Sequence, residues 1–124
     1  MEDRYLFKAK HFEEWHIGNI VKEPDGLYIR DIKENVMAYI DDESTICQCT
    51  GLKDKNGKLI WENDITLRTS VTGVYKGKVF YGAEGAFCQK DFESLFENLL
   101  LNSESYFEVI GNVFDNPELL ESEG

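Results

Sequence analysis

The chain has 124 residues, 42% of them hydrophobic and 13% aromatic, with only two prolines; this excludes a disordered or low-complexity chain and fits one folded domain over residues 1–124 around one core. The formal net charge is -11, and residues 63–124 carry 11 acidic against 4 basic side chains, so most of the surface repels phosphate backbones and nucleic-acid binding is not expected. No apolar run approaches the roughly 18 residues of a membrane span, and the acidic start Met1-Glu2-Asp3 lacks an export signal, which makes the cytoplasm the expected compartment.

Taken in order, Tyr5 to Lys10 is short and aromatic and predicts a first strand. Trp15 to Lys22 is β-branched and ends at Pro24-Asp25-Gly26, where proline presets φ and glycine accepts a positive one; with Leu27 to Ile32 it predicts a hairpin. Val36 to Ile40 and Ser44 to Thr50 predict two more short strands. Asn56-Gly57, inside Asp54-Lys55-Asn56-Gly57-Lys58, is the strongest local signal and predicts a hairpin tip of type I′. Leu59 to Trp61 leaves that turn, Asn63 allows a left-handed bend, and Ile65 to Val71, Val74 to Tyr81 and Ala86 to Lys90 continue the meander.

At Asp91 the period changes. Asp91 reads as an N-cap, and Phe92, Leu95, Phe96, Leu99 and Leu100 follow at helical spacing, predicting an amphipathic helix near residues 91–102 that stops at Asn102-Ser103. Tyr106 to Phe114 predicts a last strand, and Asn116-Pro117-Glu118 opens a short C-terminal helix ahead of the acidic residues Glu118, Glu121 and Glu123. No internal repeat is evident. Turn signals every 8 to 12 residues or so predict a mainly β (α+β) fold, a small barrel or sandwich of short strands.

Three stretches stand out together: Lys8-Ala9-Lys10 with Trp15, Thr50-Gly51-Leu52-Lys53-Asp54-Lys55-Asn56-Gly57 running on to Trp61-Glu62-Asn63-Asp64-Ile65, and Phe107-Glu108-Val109-Ile110-Gly111-Asn112 running on to Asn116-Pro117-Glu118-Leu119-Leu120. In this order, and over essentially the whole chain, the sequence resembles the YopX family, proteins of temperate phages and prophages with no established activity. The resemblance implies an SH3-like barrel or roll, a bacterial host cytoplasm and a possible homo-oligomer. Gly51, Asp54, Asn56, Gly57, Asp64, Gly111, Asn112, Asn116 and Pro117 carry the family's motif and are read as structural. Cys49 stands where the family usually has an aromatic residue, and Asn63 where it usually has glycine.

No catalytic, cofactor-binding or metal-binding residue is assigned. His11 and His16 fall on opposite faces if the chain between them is extended, which argues against a shared metal. Cys47, Cys49 and Cys88 lack paired ligand spacing and are read as reduced thiols. Asp54 to Glu62 departs from a calcium loop at its third ligand position and its glycine. Asp41-Asp42-Glu43 reads as a solvated loop. Gly82-Ala83-Glu84-Gly85 lacks the lysine of a phosphate cradle. Lys53, Lys55 and Lys58 form the single basic concentration, read as a solvated turn. The expectation is a binding module for a protein partner rather than an enzyme, with an acidic mimic of nucleic acid, or an enzyme without a recognisable motif, as alternatives.

Overall fold

A computed structural model describes residues 6–82, 85–100 and 102–120. Tyr5, Ala83, Glu84, Leu101, Glu121 and Glu123, which figure in the expectations above, lie outside the described residues. The fold is mainly β, with eleven described strands in two antiparallel sheets of six and five strands, and contacts divide the chain into two compact units, Met1–Cys49 and Thr50–Gly124. The hydrophobic core forms two clusters, one in each unit, where the chain length suggested one.

In the first unit β1 (Phe7–His11) pairs with β2 (Glu14–Glu23) through the turn Phe12-Glu13, both residues of which are left-handed at φ 46 and 73. The expected hairpin follows: Glu23 faces Gly26 at the start of β3 (Gly26–Asp31). The carboxylate of Asp31 then accepts the backbone N–H groups of Lys33 and Glu34, which organises the turn into β4 (Met37–Tyr39). Asp42 caps a single 3-10 turn, Glu43–Thr45, before β5 (Cys47–Lys53). Ala9, Ile29, Ala38 and Ile40 form this unit's core.

The second half of β5 turns back into β6 (Leu59–Trp61), completing the six-stranded order β4-β3-β2-β1-β5-β6. Then come β7 (Asp64–Ser70), β8 (Gly73–Tyr81), β9 (Phe87–Asp91), β10 (Glu97–Leu99), the one-turn helix α1 (Ser103–Tyr106), β11 (Phe107–Asn112) and a 3-10 turn at Pro117–Leu120. Their sheet runs β10-β9-β8-β7-β11, and Ile60, Val79, Leu100 and Phe107 make the second core. Among the described residues neither sheet is closed by pairing of its outermost strands.

The predicted helix at 91–102 is not formed. Asp91 ends β9, a turn follows, and Glu97–Leu99 is a strand paired with β9. The turn closes through Asp91 N–H to the Phe96 carbonyl, with Leu95 left-handed at φ 61. An isolated helix of this length is marginal in water, so tertiary pairing decides. Of the apolar stripe Leu100 is buried, while Leu95, Phe96 and Leu99 are 62, 69 and 50% exposed. Asn102, read as the helix stop, instead precedes the start of α1.

A repeat does exist, in topology rather than in sequence. The order β4-β3-β2-β1-β5 corresponds strand for strand to β10-β9-β8-β7-β11. The row Phe7, Gly18, Asp31 matches Thr66, Gly77, Asp91, and the row Ile20, Ile29, Ala38 matches Val79, Gln89, Asn98. Asp31 N–H bonds to Val36 as Asp91 N–H does to Phe96, and Ile40 N–H to Leu27 as Leu100 N–H does to Phe87. Gly18 and Gly77 leave the same space: a Cβ at either would strike the carbonyl oxygen of Arg30 or Lys90.

Candidate functional site

The central motif builds a clamp. Asp54 is 2% exposed, and its carboxylate accepts the N–H groups of Asn56 and Lys58 with one oxygen, each at 2.9 Å, and that of Val109 with the other at 2.8 Å. Burial pushes this carboxyl up, but the three N–H groups of Val109, Lys58 and Asn56 outweigh it and hold it below the usual carboxylate range. Gly57 is left-handed at φ 80, as the hairpin expectation requires, whereas Asn56 is not, so the turn is a type I turn closed by Gly57 N–H to the Asp54 carbonyl rather than type I′. The lysine-rich tip is docked: Lys55 N–H donates to Phe107, and the Lys55 ammonium lies 3.8 Å from Glu108. Asp64 accepts the N–H of Trp61 at 2.8 Å, and Gly51 takes φ 78 within β5.

The terminal motif closes on itself. The Asn112 side chain accepts the N–H groups of Phe114 and Asp115, and the Asn116 side chain accepts that of Asn112. Gly111 makes room for it, because a Cβ there would lie 2.5 Å from Asn116 Oδ1. Pro117 then opens the 3-10 turn.

The histidines are neighbours rather than opposed, since the Phe12-Glu13 turn folds the chain back between them: their ring centroids lie 6.3 Å apart. His16 Nδ1 is 2.8 Å from Asp31, whose carboxyl is held low first by the Glu34 N–H, against burial, and then by His16. His16, Asp31 and Glu34 are grouped closely enough to hold a cation, but Asp31 already accepts two N–H groups and the imidazole, and the cluster reads as a turn lock. Asp41 accepts the Phe12 N–H, and Asp42 caps its 3-10 turn. The three cysteines are buried and are not joined in disulfides.

A different feature separates the two units. Where the first packs Ala9, Ile29 and Ala38, the second carries Arg68, Gln89 and Asn98. Arg68 donates to Asp91 at 2.8 Å and to Gln89 at 3.3 Å, and its guanidinium carbon lies 4.8 Å from the Tyr75 ring centre. Gln89 in turn donates to the carbonyls of Thr66 and Tyr75, while the buried Thr66 hydroxyl has no partner among the described residues. Arg68 and Asn98 line an open cavity of about 590 Å³, bounded by Ser70, Val71, Leu99 and Tyr106.

In the first unit the corresponding gap is bridged. His11 donates to the Tyr39 carbonyl of β4 at 2.8 Å. Ser70 occupies the position equivalent to His11, but its hydroxyl turns to Thr72, and the Leu99 carbonyl equivalent to that of Tyr39 has no such donor among the described residues. Sequence reading did not assign this site, although the polar residues Arg68, Gln89 and Asn98 at inward strand positions, and the apolar Phe96 and Leu99 beside them, are traces of it.

The sequence model of the family described as YopX protein matches residues 7–121. The chain belongs to the YopX family. A solved structure with the same fold is the protein yopX from Bacillus subtilis, determined by X-ray crystallography: TM-score 0.63, 21% identity, covering 95% of this chain and 99% of that one. No curated protein matches. Within the family motif, Asn63 takes φ 70, the conformation for which the usual glycine is suited, and Cys49 is fully buried. No helix of the described residues is long and apolar enough to cross a membrane.

Proposed function

We propose that the protein is a phage- or prophage-encoded accessory protein that acts by binding another protein rather than by catalysis, and that each unit is an SH3-like roll, the second of which carries the binding face. One observation carries the reading: the β10 edge is open and rimmed by the exposed Leu95, Phe96, Leu99 and Tyr106, where the equivalent edge of the first unit is bridged by His11. Adjacent apolar side chains left in water at a strand edge are a recurring mark of protein interfaces. The phage attribution rests on the motif pattern of the family alone.

The polar groups of the face suit recognition better than chemistry. Arg68 is committed to Asp91 and Gln89 and is thereby held in one orientation, as a specificity group needs to be. The test is affinity capture of the tagged protein from host lysate, with and without phage induction, against an equally acidic unrelated bait. A reproducible partner specific to this chain supports the reading; recovery of the chain alone contradicts it.

A further inference from the structure

We propose that the open edge takes an extended segment of a basic partner protein as an added β-strand beside β10, an inference that rests on the protein-binding reading above. Antiparallel pairing satisfies alternate residues of a strand. The bonds Asp91 N–H to Phe96 and Leu100 N–H to Phe87, with Asn98 opposite Gln89, turn the backbone groups of Asn98 toward β9. Glu97 and Leu99 therefore present their N–H and C=O groups outward, and neither has a further partner among the described residues. An extended chain is the ligand that matches both residues at once, since its own N–H and C=O groups recur with the same spacing.

β4 is an outermost strand as β10 is, and the two edges differ at one of these outward groups. In the first unit the equivalent outward carbonyl, that of Tyr39, is already satisfied by His11. In the second, Glu97 and Leu99 line the open cavity of about 590 Å³.

The partner's chemistry follows from what lines the site. A residue opposite Asn98 on the added strand points to the same face as the Asn98 and Arg68 side chains. Arg68 spends Nε and Nη2 on Gln89 and Asp91 and leaves Nη1 unpaired among the described residues; Asn98 spends its amide nitrogen on Asp91 and Phe96 and leaves Oδ1 unpaired. An Asn or Gln side chain answers both, its carbonyl accepting from Arg68 and its amide donating to Asn98. A carboxylate fits less well, because Asp91 and Glu97 already face Arg68 or line the cavity. Glu97 on the strand itself, with 11 acidic against 4 basic residues in 63–124, selects Lys or Arg flanks and repels a second copy of this chain.

The test is selection of a displayed library of random linear peptides on the wild-type protein, with counter-selection on Leu99→Pro, which removes an outward N–H without touching the β9 pairing. Amide exchange is then followed by NMR with the best peptide bound. We expect peptides rich in Lys and Arg, free of proline in the paired stretch, with Asn or Gln at one fixed position; they slow exchange at Glu97 and Leu99 about tenfold or more. Glu97→Lys, a surface change that keeps the fold, should weaken them about tenfold. Failure to enrich any peptide overturns strand addition, as do peptides that leave those two amides unprotected or bind Glu97→Lys as tightly. Specific peptides bound elsewhere would overturn it while leaving the protein-binding reading in place, and the lysate capture decides that reading separately.

Discussion

The Asp54 carboxylate and the Val109 backbone N–H, 55 residues apart in sequence, are joined by a hydrogen bond of 2.8 Å. This bond ties the β5–β6 hairpin to β11 and links two of the three stretches of sequence that carry the family resemblance. A buried carboxylate that accepts three N–H groups is costly to alter, because three part-buried donors lose their acceptor at once.

Asp54→Asn removes the charge and turns one acceptor into a donor facing an N–H group. We expect a loss of about 2 to 3 kcal/mol, read as a lower urea midpoint at unchanged slope. A shift within error would mean that the clamp contributes nothing to stability.

The same carboxylate sets a pH dependence. Asp54 and Asp31 both titrate lower in the folded protein than in the unfolded chain, where an aspartate titrates near pH 3.9, about its ordinary value. The unfolded state therefore binds protons first as pH falls, so the stability from these two groups is complete above about pH 4 and is lost below it, through their folded values. Urea midpoints should stay level with respect to these groups from neutral pH to about pH 4 and then fall, and Asp54→Asn should fall less steeply.

Gly57 has no atom within 4 Å of where a Cβ would stand, yet its φ is 80. Gly57→Val should cost more than about 1 kcal/mol from conformation alone, and Gly57→Asn less. Equal unfolding midpoints for the three proteins would contradict the turn geometry.

At the other motif the cause is space. Gly111→Ala places a methyl 2.5 Å from Asn116 Oδ1, so the Asn116 side chain must leave the Asn112 N–H. The cost should be about 1 to 3 kcal/mol and should shrink when Asn116→Ala is already present, a coupling that a double-mutant cycle measures.

Arg68→Ala strips the cation from Asp91, which is 2% exposed and keeps Ser94 and Asn98 as donors. Breaking one side of a buried pair costs about 3 to 5 kcal/mol. A thermal unfolding temperature equal to wild type would show that Asp91 does not depend on Arg68.

Local chemistry was legible where a single residue type decides a conformation. The turn at Pro24-Asp25-Gly26, the bend at Asn63 and the left-handed Gly57 all stand where proline, asparagine and glycine indicated. Asn-Gly placed the tip correctly but not its type, because the Asp54 carboxylate captures the N–H groups of Asn56 and Lys58 and so selects the turn. What failed depends on distant pairing. The apolar spacing of Phe92 to Leu100 suits a helix, yet pairing of Glu97–Leu99 with β9 and the Arg68 contact to Asp91 fix a turn and a strand. The histidine pair was lost because Phe12 and Glu13, neither a turn former, adopt positive φ. The repeat was invisible for a related reason: equivalent positions hold Ala9 and Arg68, Ile29 and Gln89, Ala38 and Asn98, so backbone geometry is shared while polarity is exchanged. That exchange is the candidate site.

The most direct test of the binding role is quantitative affinity capture from phage-induced host lysate, run in parallel with the wild-type protein, Leu99→Pro and Glu97→Lys, each first checked for a wild-type-like thermal transition. The account predicts a partner retained by the wild type and depleted at least about tenfold by both edge variants. A partner retained equally by all three, or none retained by the wild type, would contradict it.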